Sequence, residues 1–312
     1  MNDTKEKSPP KQEEMKNSFA TFLWNPWRKE FCGRTASSWG KIFVFYVIFY
    51  ICLAAFWSIM LLIFRTTIDD KHPKWKLDES RIGSNPGLGY RPRPPRERLE
   101  STLIRFRRNN EKSYKHWVED LTQFVHGQNA SDSGGASLAI DCEKNQISSD
   151  DQFCAFNVRD IGSPCSPANS FGYRDGKPCV LIKLNRIFDW KPQTYDPQDY
   201  NNPALPQELR DVMKMAYDKN KSNRYIYITC QGQNPIDKEN IGQIQFFPEP
   251  GIRDYYFPFR NQDNYKSPFV FVQFTNPSHG LVINVECKAW AKNIKHNLLE
   301  REGSVHFELS IE

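Results

Sequence analysis

Residues 42–64, IFVFYVIFYICLAAFWSIMLLIF, run for 23 positions without a charge and with Ser58 as the one clearly polar side chain. A helix of this length rises roughly 34 Å, enough for a bilayer core of about 30 Å. A soluble core helix is rarely apolar on every face over so many turns, so the run is expected to span a membrane. The 41 polar or mixed residues before it place it too far along the chain for a cleaved signal peptide, whose apolar region is also shorter. The expectation is an uncleaved signal anchor, and no second apolar run of that length follows.

Flanking charge does not orient this span, because Arg28, Lys29, Arg34 and Lys41 on one side balance Arg65, Lys71, Lys74 and Lys76 on the other. Cysteine placement does. Six of the 8 cysteines, Cys142, Cys154, Cys165, Cys179, Cys230 and Cys287, lie on the C-terminal side, an even number with no CxxC, which suits disulfides in an oxidising compartment. Spacing alone leaves all 15 pairings open. Cys32 and Cys52 are expected to be free thiols. Two glycosylation sequons, at Asn129 and Asn220, fall on the same side of the span. The reading is a plasma-membrane protein of type II, with a cytosolic N-terminus and residues 65–312 outside.

Outward from the span, residues 1–18 are polar and read as a disordered tail, closing a cytoplasmic segment of residues 1–41 whose Trp24, Trp27 and Trp39 suit a membrane interface. Beyond it, Pro73, Pro86, Pro92, Pro94 and Pro95 with Gly83, Gly87 and Gly89 predict an extended stalk over residues 65–100. Residues 101–312 read as the outer domain. Residues 101–126 show mostly helical spacing, from Leu103, Ile104 and Phe106 to Trp117, Val118, Leu121, Phe124 and Val125, and residues 205–219 put Leu209, Val212, Met213 and Ala216 on one helical face. Strands are expected at 179–184, 225–230, 269–274, 281–290 and 305–311, several of them alternating apolar with polar. The fold class is therefore a single transmembrane helix followed by a mainly β domain, a sandwich with inserted helices and long loops.

Reactive constellations are missing. The chain has no GxxxxGK[ST] phosphate loop, no HExxH and no GxSxG, and its six histidines stand at no metal-ligand spacing. Secretory-pathway glycosyltransferases share the topology, but they commonly hold a metal through an Asp-x-Asp pair that is absent here. No catalytic residue, metal or cofactor is expected. A net charge of +5 is small for 312 residues, and its one concentration (Arg91, Arg93, Arg96, Arg98, Arg105, Arg107, Arg108) reads as a solvated segment, so no nucleic-acid partner is expected.

Several motifs resemble the β subunits of Na,K-ATPase and its relative H,K-ATPase. Phe31-Cys32-Gly33-Arg34-Thr35 with Ser38-Trp39 and Lys41-Ile42 is similar to the family's FLGRTGxSWxKI, and Phe45-Tyr46-Val47-Ile48-Phe49-Tyr50 matches a hallmark within the span. Gly172-Tyr173, Gly176-Lys177-Pro178-Cys179 and Lys183-Leu184-Asn185-Arg186-Ile187, ending at Lys191-Pro192, resemble GYxxGKPCxxxKLNRxxxxxP, a long and specific signature. Tyr256-Phe257-Pro258-Phe259 stands where the family has YYPYYG, and Tyr50-Ile51-Cys52-Leu53-Ala54-Ala55 lacks both glycines of YGCLAG, which would serve close helix approach. Phe259-Arg260 in place of the family's final segment and a shorter stretch before Val272 point to a divergent, invertebrate-like member.

The resemblance implies an immunoglobulin-like sandwich and sequential disulfides, Cys142 with Cys154, Cys165 with Cys179, and Cys230 with Cys287. It further implies that Tyr46 and Tyr50 pack on a transmembrane helix of a catalytic α subunit, and that Tyr255, Tyr256, Phe257, Pro258 and Phe259 lie at the outer contact with it. The implied function is a non-catalytic pump subunit that folds, delivers and tunes its partner within the lipid bilayer. A small regulatory single-span subunit, an H+/K+ pump partner and a pump-independent adhesion role are left open.

Overall fold

The computed structural model describes residues 22–25, 29–69, 71–98, 100–129, 139–142, 149, 152–157, 163–220, 224–297, 300 and 302–312. The expected tail over residues 1–18, and Trp27, lie outside the described residues. The chain divides into two compact units, Met1–Asp69 and Asp70–Glu312.

In the first unit, helix α1 (Ala36–Thr66) has 31 residues, none of them buried. It is longer than the apolar run because its ends are capped outside that run. Thr35 is extended and its hydroxyl accepts from the Ser38 amide, satisfying one orphan donor of the first turn. At the other end the Thr66 and Thr67 hydroxyls donate to the Ile63 and Phe64 carbonyls at 2.8 and 2.7 Å, and Arg65 stands at the negative end of the helix dipole. Three two-residue strands, Trp24–Asn25, Glu30–Phe31 and Arg34–Thr35, form an antiparallel hairpin stack directly before α1.

The second unit contains β1 (Leu88–Arg91), β2 (Leu103–Phe106), α2 (Glu111–Asn129), β3 (Cys179–Leu184), α3 (Gln207–Asn220), β4 (Tyr225–Gly232), α4 (Pro235–Asn240), β5 (Ile244–Phe247), β6 (Gly251–Arg253), β7 (Phe269–Phe274), β8 (Val282–Trp290) and β9 (Ser304–Ile311). Ala139–Ile140 and Phe153–Cys154 make a small parallel pair of their own, and the two main sheets run in the orders β5-β7-β3-β1 and β6-β4-β8-β9-β2. Every pairing in them is antiparallel except β9 with β2, which is parallel.

A shared apolar core lies between the sheets. β8 shows the alternation behind it: Ile283, Val285, Cys287 and Ala289 are buried, while Val282 is exposed and Asn284, Glu286 and Lys288 are half-buried. Phe307 of β9 stacks on Tyr90 of β1 at 5.2 Å and meets Phe274 of β7 edge-on at 6.1 Å, so one ring joins the two sheets. All six residues of β7 are buried, since the strand is paired on both edges and Phe124 of α2 and Phe156 cover Phe269 while Phe171 covers Phe271. Helix α3 lays Leu209, Met213 and Ala216 against Tyr225 and Tyr227 of β4.

Three disulfides join Cys142 to Cys154, Cys165 to Cys179 and Cys230 to Cys287. The first two close loops of 12 and 14 residues. The third connects residues directly opposite each other on β4 and β8, so it staples strands of one sheet, whereas the disulfide of antibody domains links the two sheets.

Two expectations need correction. Residues 103–106 are not the start of a helix: Ile104 and Phe106 point into the core, Arg105 points out, and the segment pairs with β9. The helix begins only at Glu111, after Asn109 adopts a positive φ of 66°. The expected stalk also ends early, because residues 88–91 form the outer strand of the four-stranded sheet with Leu88 and Tyr90 buried. Pro86 and Pro92 flank that edge strand without interrupting it, positions that prolines tolerate.

The glycine of the signature motif's Gly-Tyr pair is required by the backbone. Gly172 sits at φ +75°, its carbonyl accepts from the Lys177 amide at 2.9 Å, and a Cβ there would lie 2.0 Å from the Lys177 oxygen. Gly280 has a similar φ of +80° with nothing within 4 Å. Gly172→Ala is therefore expected to lose about 1–3 kcal/mol from overpacking on top of the left-handed strain, and Gly280→Ala only the strain, about 1–2 kcal/mol. Thermal unfolding of the purified full chain reads the difference, and equal losses would contradict this account of the turn.

Candidate partner-binding surfaces

The aromatic residues of α1 form two columns. Tyr46 and Tyr50 stack at 6.2 Å and Phe45 and Phe49 at 6.3 Å, as residues one turn apart on a helix face do. The columns meet edge-on, Phe45 against Tyr46 and Phe49 against Tyr50, each at 5.4 Å. All four rings are exposed, so none of the described residues covers this ridge. The two phenols are the polar tips on it.

The second surface is the segment after β6. Asp254–Tyr256 makes a 3-10 turn, the Phe257-Pro258 bond is cis, and Tyr255, Tyr256, Phe257, Pro258 and Phe259 are all half-buried. Each apolar ring has a support within the domain. Tyr256 meets Phe156 at 5.5 Å, Phe257 meets Trp190 at 5.5 Å, and Phe259 meets Tyr265 at 5.1 Å. A cleft of about 390 Å³ opens beside Tyr255 and Tyr256, walled also by Phe156, Glu249, Arg253 and Phe269.

Polar groups fix the segment from behind. Tyr265 is buried and its hydroxyl donates to the Tyr256 carbonyl at 3.0 Å. Burial pushes this phenol up and the nearby Arg186 only partly opposes that, so the group remains a donor across the physiological range. The Arg186 guanidinium lies over both Phe259 and Tyr265, at 5.0 and 5.4 Å, and donates to Ser267 Oγ and the Tyr265 carbonyl. The backbone of Asp189 donates to the Phe259 carbonyl, and its carboxylate takes Arg260 at 2.9 Å and Lys76 at 3.6 Å. Burial works to raise the Asp189 carboxyl, but these two cations outweigh it and hold it below the ordinary carboxylate range.

Arg186, Asp189, Trp190 and Tyr265 were not singled out from sequence as site residues. Arg186 stands in the KLNR motif, but nothing local shows that it reaches under Phe259, 73 positions along the chain. The two sequon asparagines are the last residues of their helices, Asn129 of α2 and Asn220 of α3, and both sequons continue outside the described residues. Three members of the basic concentration do more than meet solvent: the guanidinium groups of Arg105 and Arg107 bind the Glu312 carboxylate, while Arg91 pairs with Asp120 at 2.8 Å. Among the described residues, no group of three or more His, Cys, Asp or Glu is arranged to hold a metal ion.

Comparison with known proteins covers nearly the whole chain. The family model described as "Sodium / potassium ATPase beta chain" matches residues 9–307. "Sodium/potassium-transporting ATPase subunit beta-2" of Drosophila melanogaster is 38% identical over 98% of this chain and 95% of its own, and subunit beta-1 of the same organism is 37% identical over 95% and 94%. Human subunit beta-2 is 29% identical over 93% and 92%. One long apolar helix, a disulfide-bonded β domain and these matches agree with one another: the chain belongs to the sodium/potassium ATPase β chain family.

Proposed function

We propose that this chain is the non-catalytic β subunit of a Na+/K+-transporting P-type ATPase, which binds the catalytic α subunit during synthesis, carries it to the plasma membrane and biases its cation affinity. The observation that carries this reading is the family match across residues 9–307, which takes in the span and the β domain alike. The names of the matched relatives favour a sodium/potassium pump over a proton/potassium one.

In this reading the N-terminus is cytosolic, residues 42–64 cross the membrane and the β domain is extracellular. The disulfides support that side, since they persist in oxidising compartments. Asn129 and Asn220 would then carry glycans. Tyr46 and Tyr50 meet a helix of the α subunit within the bilayer, where their column offers packing area and two hydroxyls. Tyr255, Tyr256, Phe257, Pro258 and Phe259 form the outer contact, held ready by Tyr265 and Arg186 so that little ordering entropy is lost on binding. ATP hydrolysis and ion coordination belong to the partner.

Coexpression with a Na,K-ATPase α subunit is expected to give potassium-dependent, cardiac-glycoside-sensitive ATPase at the cell surface only when both chains are present. Failure of the chains either to copurify or to support activity would remove the proposal. Replacing both Tyr46 and Tyr50 by Ala is expected to weaken copurification about tenfold with the β domain still folded, because truncated aromatic anchors typically cost more than 1 kcal/mol. Tyr265→Phe deletes one hydrogen bond worth about 1 kcal/mol and should loosen the outer segment, with a several-fold loss of α-subunit retention in detergent. Unchanged retention would mean that the segment is not at the contact.

A further inference from the structure

We propose that the hairpin stack preceding α1 is a membrane-interface anchor that seats its aromatic side chains among the lipid headgroups at the N-terminal end of the span. This rests on α1 crossing the membrane. The hairpin exposes Phe22, Leu23, Trp24 and Phe31, at 56, 39, 55 and 52% of their surface, and Trp39 on the first turns of α1 is 40% exposed. So many large apolar side chains in a three-strand unit need a cover other than water.

The structure ties this unit closely to the helix. The Trp39 indole N–H donates to the Phe31 carbonyl at 2.8 Å, and the two rings lie 6.1 Å apart. The third strand ends at Thr35, which is itself the helix cap. The turn between the second and third strands places Cys32 and Gly33 at φ 48° and 73°, the two successive positive values of a tight hairpin, and the Cys32 amide donates to the Leu23 carbonyl.

Position along the axis then selects the occupant. Trp39 and Thr35 precede Ile42 by three and seven residues, about 5 and 10 Å along the helix. The headgroup layer beyond the hydrocarbon core is about 5–8 Å thick on each side, so Trp39 lies within it and Thr35 just past its outer edge, and the Trp39–Phe31 contact holds the Phe31 end of the hairpin at the depth of Trp39. Trp is the side chain enriched at that depth, having an apolar body and one N–H. The exposed charges agree: Lys29, Arg34 and Lys41 against the single anion Glu30 among residues 29–41 favour an anionic lipid surface. Continuity with a helix that has no buried residue favours lipid over a separate protein groove.

The test uses the full chain, with Cys32→Ser and Cys52→Ser, reconstituted in phosphatidylcholine vesicles containing phosphatidylserine. Nitroxide labels are placed singly through Phe22→Cys, Lys29→Cys and Ile48→Cys, and their collisions with oxygen and with a water-soluble nickel chelate are compared. Position 48 is expected deep in lipid, 22 at interfacial depth with oxygen favoured several-fold over its ratio at 29, and 29 in water. Adding Gly33→Val, which strains the turn, should return position 22 to water and leave 48 unchanged. Water accessibility at 22 equal to that at 29 would overturn the anchor, as would protection of 22 from both reagents, the mark of a protein cover. A label at 48 exposed to the chelate would sink the span and the anchor with it.

Discussion

A helix of 31 residues that buries none of its side chains within its own chain can persist only where something other than water covers it. Lipid satisfies that condition over the apolar run, since every backbone group is paired inside the helix and every side chain there is compatible with hydrocarbon. The remaining choices follow from this constraint. A bilayer offers no hydrophobic force between helices, so a partner must be recognised by shape and by the few polar tips available. On α1 those are the Tyr46 and Tyr50 hydroxyls beside the flat Phe45–Phe49 column. Loss of the glycines that close helix approach would use leaves the aromatic ridge as the feature with most to offer.

The β domain answers a different problem. Its sheets are assembled from strands far apart in sequence, β9 pairing with β2 across some 200 residues and β3 with both β1 and β7. Such non-local pairings give little reward until loop-closure entropy has been overcome, and the described residues between 139 and 165 contribute only the short strand pair Ala139–Ile140 and Phe153–Cys154. Disulfides joining Cys142 to Cys154 and Cys165 to Cys179 act in that region, limiting the freedom of the unfolded chain where the sheets cannot. The residues of the long signature motif are explained mainly by this architecture: Gly172 permits a turn that no side chain fits, Cys179 is both bridge and strand start, and Arg186 props an aromatic ring.

How much of this could be read from sequence depended on the range of the interaction. The span, the five long strands and the helix over residues 207–220 were legible because apolar periodicity is local. Leu103, Ile104 and Phe106 misled for the same reason: three apolar residues in four fit a helix face as well as a strand, and the deciding partner is the last strand of the chain. Residues 88–91 were hidden by their prolines and glycines, which mark the boundaries of an edge strand as readily as an irregular stalk. At the candidate surfaces, Tyr46, Tyr50 and the run from Tyr255 to Phe259 came into view through the resemblance to a known family, not through spacing or composition. Their supports did not, since Trp190, Arg186 and Tyr265 are brought to that run only by the packing of the sheets.

If the chain is the non-catalytic subunit proposed above, it would alter transport by binding two conformations of its partner unequally. If the outer segment and the tyrosine column both touch the α subunit, each contact stabilises the conformation it fits better, and cation affinity shifts by the same free energy through linkage. A rigid contact serves this better than a loose one, because a segment that reshapes itself to follow the partner binds both states alike and shifts nothing. The three ring contacts, the cation over Phe259 and the buried hydroxyl on the Tyr256 carbonyl confer that rigidity on the 255–259 segment. The same packing that leaves those aromatics only half exposed is thus what would let them discriminate between pump states.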